Sequence, residues 1–208
     1  MSLLKLGKLL WPHILLCNYQ KDIVQSVDEN IETFVVAGNM LGKDFIAAYI
    51  ILTFFLSRNP CRIVTTSADC KQLESVLWGE IQRLIGEAKY NIDAKDGGPL
   101  LVNHLYIRKI IDTKKGTRCG LSYILGKVSK KGEGLLGHHI AERGDGIPRT
   151  LLVIDEASGV ENEAYDKPDT WAKRKLIIGN PYPCTNFFYH GVNGGDIQHK
   201  ELDDAGVV

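Results

Sequence analysis

Along the chain, apolar positions fall into blocks whose period alternates between helical and extended. Tyr19 to Val27 carries helical spacing, and Ile31 to Val36 (IETFVV) is a β-rich run that stops at a glycine turn. Directly after that turn, FIAAYIILTFFL (Phe45 to Leu56) is apolar around its whole circumference, which predicts a helix buried on every side. A second strand-like run, Arg62 to Thr66, leads into an amphipathic helix from about Asp69 to Ile85, with Leu73, Val76, Leu77, Ile81, Leu84 and Ile85 on one face. Gly97, Gly98 and Pro99 break the chain before two more strand-like runs, Leu105 to Ile111 and Leu121 to Val128. Lys130 to Pro148 holds five glycines among mixed charges and reads as loop. Thr150 to Ile154 (TLLVI) is a fully apolar strand ending in Asp155 and Glu156, and Leu176 to Ile178 is another, ending in Gly179, Asn180 and Pro181.

Strands that alternate with helices, several of them apolar throughout, predict an α/β fold with a mostly parallel sheet covered on both faces. At 208 residues and without an internal repeat or linker, one domain spanning residues 1–208 is the simplest organisation, residues 1–30 being a segment ahead of the glycine turn.

Composition narrows the function classes. Lys plus Arg and Asp plus Glu are 25 each, so the formal net charge is zero and a strongly basic nucleic-acid-coating domain is excluded. Cys17, Cys61, Cys70, Cys119 and Cys184 are scattered and contain no CxxC, which favours reduced thiols over a disulfide framework or a zinc site. The N-terminal stretch MSLLKLGKLLWPHILLC is split by Pro12 and His13 and is followed by no small-residue cleavage site, so no signal peptide is expected. Phe45 to Leu56 falls well short of the about 20 residues a membrane span takes. No membrane association is expected.

The strongest chemical signal is AGNMLGKDF, Ala37 to Phe45, set between a strand and a helix. A phosphate-binding loop needs glycines so that backbone N–H groups and a helix N-terminus can meet the negative charge, and a lysine to reach the outer phosphates. Gly38, Gly42 and Lys43 fit that pattern, whereas Ala37 stands in place of its first glycine and Asp44 in place of the hydroxyl residue that touches Mg²⁺. The second signal is LLVIDEAS, where an apolar strand tip presents Asp155 for Mg²⁺ and Glu156 for orienting or deprotonating a water. The third is IIGNP, whose Asn180 stands at a strand tip and can contact a γ-phosphate or its water. The fourth is Tyr19-Gln20, because a glutamine amide offers a donor and an acceptor that pair with adenine N6 and N7. Plain alternatives exist for each: a glycine turn before a core helix, an acidic helix start, an Asn-Pro turn and a surface glutamine.

Other patterns are set aside. Gly132, Gly134 and Gly137 spell GxGxxG, but Gly144, Gly146 and Pro148 leave no room for the helix a dinucleotide fold needs before the next strand. His138 and His139 are neighbours without a third ligand at a useful spacing and read as a loop pair. Lys114, Lys115, Arg118, Lys127, Lys130 and Lys131 read as a solvated basic face.

In combination and order, the upstream Tyr19-Gln20, the GNMLGKD loop, the VTTSADCKQLESVLWGEI stretch, LLVIDEASGV and IIGNP resemble the ATPase domain of the large terminase subunit of tailed bacteriophages, the DNA-packaging motor. The resemblance runs from Tyr19 to about Pro183. It implies a P-loop NTPase of the ASCE/RecA-like type that uses ATP with Mg²⁺. Gly38, Asn39, Met40, Leu41, Gly42, Lys43 and Asp44 would then hold the phosphates, and Gln20 the adenine. Asp155 and Asp44 would hold the metal, Glu156 would activate water, and Gly179, Asn180 and Pro181 would couple hydrolysis to movement. The implied partners are double-stranded DNA, a portal protein, a terminase small subunit and further copies in a homo-oligomeric ring, all in the host cytoplasm.

Two residues depart from the family pattern. Thr or Ser usually stands where this chain has Asp44, and an arginine often stands where it has Asn39. A charge-stabilising arginine is then expected from elsewhere, with Arg143 the first candidate and Arg118 and Arg149 behind it. Family members carry an RNase H-like nuclease domain after the ATPase; this chain stops soon after the coupling motif, so a fragment without nuclease activity is expected. A helicase-like ATPase, and a degenerate module that binds nucleotide without hydrolysing it, are the alternative readings.

Overall fold

The computed structural model describes residues 1–38, 41–113, 116–129, 132–141, 143–181 and 183–193. Helices α1 (Leu3–Leu10) and α2 (Asn18–Glu29) come first, then strand β1 (Glu32–Val36) and helix α3 (Lys43–Ser57). Strand β2 (Arg62–Ser67) leads to a helical run made of α4 (Cys70–Gln72), a π-helical turn (Leu73–Leu77) and α5 (Trp78–Glu87). Strands β3 (Leu100–Asn103), β4 (Tyr106–Thr113) and β5 (Gly116–Gly126) follow, then β6 (Thr150–Asp155), α6 (Asn162–Asp166), β7 (Arg174–Gly179) and α7 (Phe187–Asn193).

The strands form one sheet in the order β1-β7-β6-β2-β5-β4-β3. β1, β7, β6, β2 and β5 run parallel, whereas β4 and β3 add on antiparallel. The parallel part is what continuous apolar strands require, since both faces must be covered. All six residues of β6 are buried. Alternate side chains point to opposite faces. Ile63, Leu151, Val153, Leu176 and Ile178 join the core under α1, α2, α3 and α5. Val64, Leu152, Ile154 and Ile177 join a second core with Ala164, Trp171, Phe187 and Phe188.

α3 is the buried helix that Phe45 to Leu56 predicts, and the apolar N-terminal stretch helps to bury it. Leu3, Leu6, Gly7 and Leu10 of α1 are buried. A Cβ at Gly7 would stand 1.7 Å from the Tyr49 hydroxyl, so only glycine allows this helix contact. Trp11 Nε1 donates to the Leu84 carbonyl at 2.8 Å and ties the end of α1 to α5.

Two elements depart from the expected pattern, and the glycine-rich segment agrees with it. β3 and the antiparallel β4 extend the sheet after the Gly97–Pro99 break, and Leu105 sits in the turn between them at φ 49° rather than opening a strand. Val76 is 37% exposed, although helical spacing places it with Leu73 and Leu77, which are fully buried. The π-helical turn over Leu73–Leu77 widens the helix and rotates Val76 outward. The glycine-rich segment contains only a single 3₁₀ turn, Glu133–Leu135, among its described residues, so no dinucleotide-fold helix follows Gly132.

Candidate active site

Because β7 lies between β1 and β6, the C-terminal tips of three neighbouring parallel strands meet the N-terminus of α3. Such tips are where open α/β sheets bind ligands. β1 leads into the glycine turn, β7 ends at Gly179 followed by Asn180, and β6 ends at Asp155 followed by Glu156. Residues far apart in sequence converge there.

Lys43 is the first residue of α3, preceded by Gly42 in the left-handed region at φ 73°. The Lys43 ammonium is buried and donates to Glu156 Oε1 at 2.7 Å and to Asn180 Oδ1 at 3.0 Å. Asn180 closes the triangle by donating from Nδ2 to Glu156 Oε2 at 3.1 Å. The amide is oriented by this network, since the flipped form would set its NH₂ against the ammonium. Gly179 has its own steric reason: a Cβ there would stand 2.7 Å from Phe188 Cε1.

Asp155 is 2% exposed. Its Oδ1 accepts from the Glu156 N–H at 2.9 Å, while Oδ2 is buried with no hydrogen-bond partner. Burial, and then the charges of Asp44 and Glu156, push its pKa up to about 7. Asp44 is half-buried, and burial raises its pKa as well, with Glu156 and Glu80 adding to the rise and Lys43 opposing it. Asp44 therefore acts electrostatically on the strand-tip carboxylates rather than standing apart from them. Glu156 itself adopts φ 50°, ψ 46°, a left-handed conformation that costs a non-glycine residue on the order of 1–3 kcal/mol. Asn186 holds the backbone just beyond it by donating to the carbonyls of Ala157 at 2.8 Å and Val160 at 2.7 Å.

The upstream pair grips the glycine turn from α2. The Tyr19 hydroxyl donates to the Leu41 carbonyl at 2.6 Å. Gln20 is buried, and its Oε1 accepts from the Cys17 N–H at 3.0 Å in a capping box at the start of α2. Its amide nitrogen lies beside the turn, 3.3 Å from where a Cβ on Gly42 would stand. A Cβ on Gly38 would make ordinary contact with Leu41 Cδ1 at 3.9 Å and meet nothing closer among the described residues. Asn39 and Met40 lie outside the described residues.

The remaining candidates are placed elsewhere. Arg143 is exposed in the loop before β6. Arg149 precedes β6, at the end opposite Asp155 and about 20 Å away along the strand, and it is paired with Asp145 at 2.5 Å. The side chain of Arg118 and residues Lys114, Lys115, Lys130 and Lys131 lie outside what is described. His138 is a core residue: its Nδ1 meets the Tyr123 hydroxyl at 2.6 Å, and its ring packs edge-on against Trp171 at 5.2 Å. His139 is exposed, and among the described residues no group of three or more His, Cys, Asp or Glu side chains could hold a metal by itself. Cys17, Cys61, Cys70 and Cys184 are free thiols. No described helix is long and apolar enough to cross a membrane.

Two contacts at this site are assigned by no sequence pattern. The Tyr19 clamp on Leu41 is hidden behind its neighbour Gln20, and Asn186 lies beyond the coupling motif in a segment without periodicity.

No family model matches the sequence, and no curated protein matches it. Solved structures do. The large terminase ATPase domain of Thermus phage P74-26, in a mutant form, superposes with a TM-score of 0.67 over 95% of this chain and 76% of that one, at 16% identity. The chain has the fold of a large terminase ATPase domain. A further structure of the same P74-26 domain gives a TM-score of 0.63 over 93% of this chain and 76% of that one, again at 16% identity. The HK97 bacteriophage large terminase gives 0.51 at 14% identity, over 84% of this chain and 36% of its own length. At such identities the likeness is one of fold, and the side chains have to be argued from their own geometry.

Proposed function

We propose that this chain is the ATPase domain of a terminase large subunit, in which Mg²⁺-dependent hydrolysis of ATP drives viral double-stranded DNA into a prohead. The observation that carries this reading is the triangle of Lys43, Glu156 and Asn180 at the strand tips of a terminase ATPase fold. Gly38, the glycine turn through Gly42, and the N-terminus of α3 receive the phosphates, with Lys43 meeting the outer ones. Glu156 then orients and deprotonates the attacking water, a role worth about 10²–10⁴-fold. Asn180, hydrogen-bonded to both Lys43 and Glu156, senses whether phosphate is present, and Gly179 and Pro181 pass that state into the segment after β7. Gln20 reads the adenine edge beside the loop.

The donor set suits a hard divalent cation. Asp155 offers a buried carboxylate oxygen with no other partner, and Asp44 adds a second carboxylate that acts on it. Oxygen ligands of this kind are what Mg²⁺ takes, completed by phosphate and water. The cation supplies charge neutralisation of the phosphates; holding it falls to Asp155 and Asp44.

Without an arginine in the loop, the positive charge that meets the transition state comes in trans. Arg143, exposed and ahead of β6, is our candidate to reach a neighbouring subunit in a homo-oligomeric ring on the portal. An arginine finger is worth about 10³–10⁵-fold in turnover. The small subunit and double-stranded DNA are the further partners.

The test is steady-state ATP hydrolysis by the purified chain with Mg²⁺, across protein concentration and with or without portal and duplex DNA. A low basal rate that rises on assembly is expected, and Arg143→Ala should remove the rise. Nucleotide binding with no turnover under any condition would favour a binding module instead.

A further inference from the structure

Ser67 is the last residue of β2 and the register partner of Asp155 across the parallel β2–β6 pair. The alternation that turns Ile63 toward α3 turns Ser67 to the same face, just as that of Leu151 and Val153 turns Asp155 there. Ser67 is 3% exposed, yet its Oγ has no hydrogen-bond partner. Asp155 Oδ2 is in the same condition. A buried polar group left unpaired costs about 1–3 kcal/mol. Two such oxygens at paired positions on neighbouring strand tips point to one shared ligand.

The ligand must take a neutral hydroxyl oxygen and an anionic carboxylate oxygen together, which is the behaviour of a hard divalent cation. Asp44 stands where the loop pattern places a hydroxyl, and its carboxylate acts electrostatically on Asp155. The loop therefore supplies charge but no hydroxyl, whereas β2 supplies a hydroxyl that nothing else uses. We propose that Ser67 Oγ is a protein ligand of the divalent cation that Asp155 and Asp44 hold with the nucleotide, taking over the hydroxyl contribution that Asp44 displaces from the loop. This rests on the proposed ATPase function. It adds a residue from β2, a strand to which the loop and acidic motifs assign no role.

The test uses Mn²⁺ as a paramagnetic substitute with a non-hydrolysable ATP analogue, and reads bound Mn²⁺ by electron paramagnetic resonance on the full chain. Ser67→Ala should lower Mn²⁺ affinity in the ternary complex by about 10–100-fold, while analogue affinity without metal stays at the wild-type value. Ser67→Cys should weaken Mn²⁺ but shift preference toward the thiophilic Cd²⁺, a change that a merely structural serine would not give. Thermal melts of the metal-free proteins identify any loss of fold. Wild-type Mn²⁺ affinity in Ser67→Ala, with no Cd²⁺ preference in Ser67→Cys, overturns this inference and leaves the ATPase function intact. Failure of the wild type to bind the Mn²⁺–analogue complex overturns both.

Discussion

The Lys43 ammonium stands 2.7 Å from Glu156 Oε1, so the two charges neutralise each other. Both are largely buried, with side-chain exposures of 7% and 14%. On the proposed function, a phosphate that draws Lys43 away from Glu156 frees the carboxylate for its water. Glu156→Gln should therefore bind ATP at least as well as wild type, because its lysine has no competing anion, and lose about 10²–10⁴-fold in turnover. The apo variant should also melt lower, since a buried charge has lost its partner, and ATP should restore much of that loss. Wild-type turnover would remove Glu156 from the chemistry.

The parts of this site that lie within one stretch of chain are legible in the sequence. TLLVI followed by Asp155 and Glu156, and the short run ending in Gly179 and Asn180, are apolar strands stopping at polar tips, and β6 and β7 form there. The glycine turn before Lys43 is legible in the same way. Contacts set by strand order are not. That Ser67 faces Asp155 depends on β2 lying beside β6, and that Asn180 reaches both Lys43 and Glu156 depends on β7 lying between β1 and β6. Periodicity names an element without naming its neighbours. It also assumes a uniform helix, and so it buries Val76, which the π-helical turn rotates outward.

His138 sets a pH limit on stability. Burial, and then the nearby charge of Arg62, lower its pKa from 6.5. These outweigh a backbone hydrogen bond at Gly134, which favours the charged ring. The fold thus holds the neutral ring. The stability it contributes is fully present above the unfolded value of 6.5 and is lost as pH falls below it toward the lowered folded value. His138→Phe keeps a ring against Trp171 and cannot titrate. Melting temperatures at pH 7.5 and pH 5 should fall more steeply with acid in wild type than in the variant; equal slopes would mean that His138 is not the source.

Tyr19 should matter through its hydroxyl alone. Tyr19→Phe keeps the ring and removes the 2.6 Å hydrogen bond to the Leu41 carbonyl. A hydrogen bond of this kind contributes about 0.5–1.5 kcal/mol, so ATP and GTP should both bind a few-fold more weakly, because the contact to the Leu41 carbonyl does not depend on the base. Gln20→Ala should instead weaken ATP more than GTP, by about 1–3 kcal/mol if its amide reads the adenine edge. Equal losses for both nucleotides would assign Gln20 to the capping box at Cys17 and the packing beside Gly42.

Asp44 decides how nucleotide and metal depend on each other. Its carboxylate stands at the start of α3, next to Lys43, and is near enough to Asp155 and Glu156 to share in their electrostatics. A triphosphate arriving without metal would meet the carboxylates of Asp44, Asp155 and Glu156, opposed among the described residues by Lys43. Like charges about 4 Å apart repel by up to about 4 kcal/mol at an effective dielectric of 20. A divalent cation reverses that sign if, as proposed, the same carboxylates are its ligands. Wild type should bind ATP strongly only as the Mg²⁺ complex. Asp44→Thr exchanges an anionic oxygen for a neutral one, so it should bind metal-free ATP at least about tenfold better than wild type, roughly a third of the maximum repulsion. Its affinity should also rise less steeply with Mg²⁺. Calorimetry with and without Mg²⁺ on both proteins reads the difference. Identical Mg²⁺ dependence would leave Asp44 as an acid at a helix N-terminus, favoured there by the helix dipole alone.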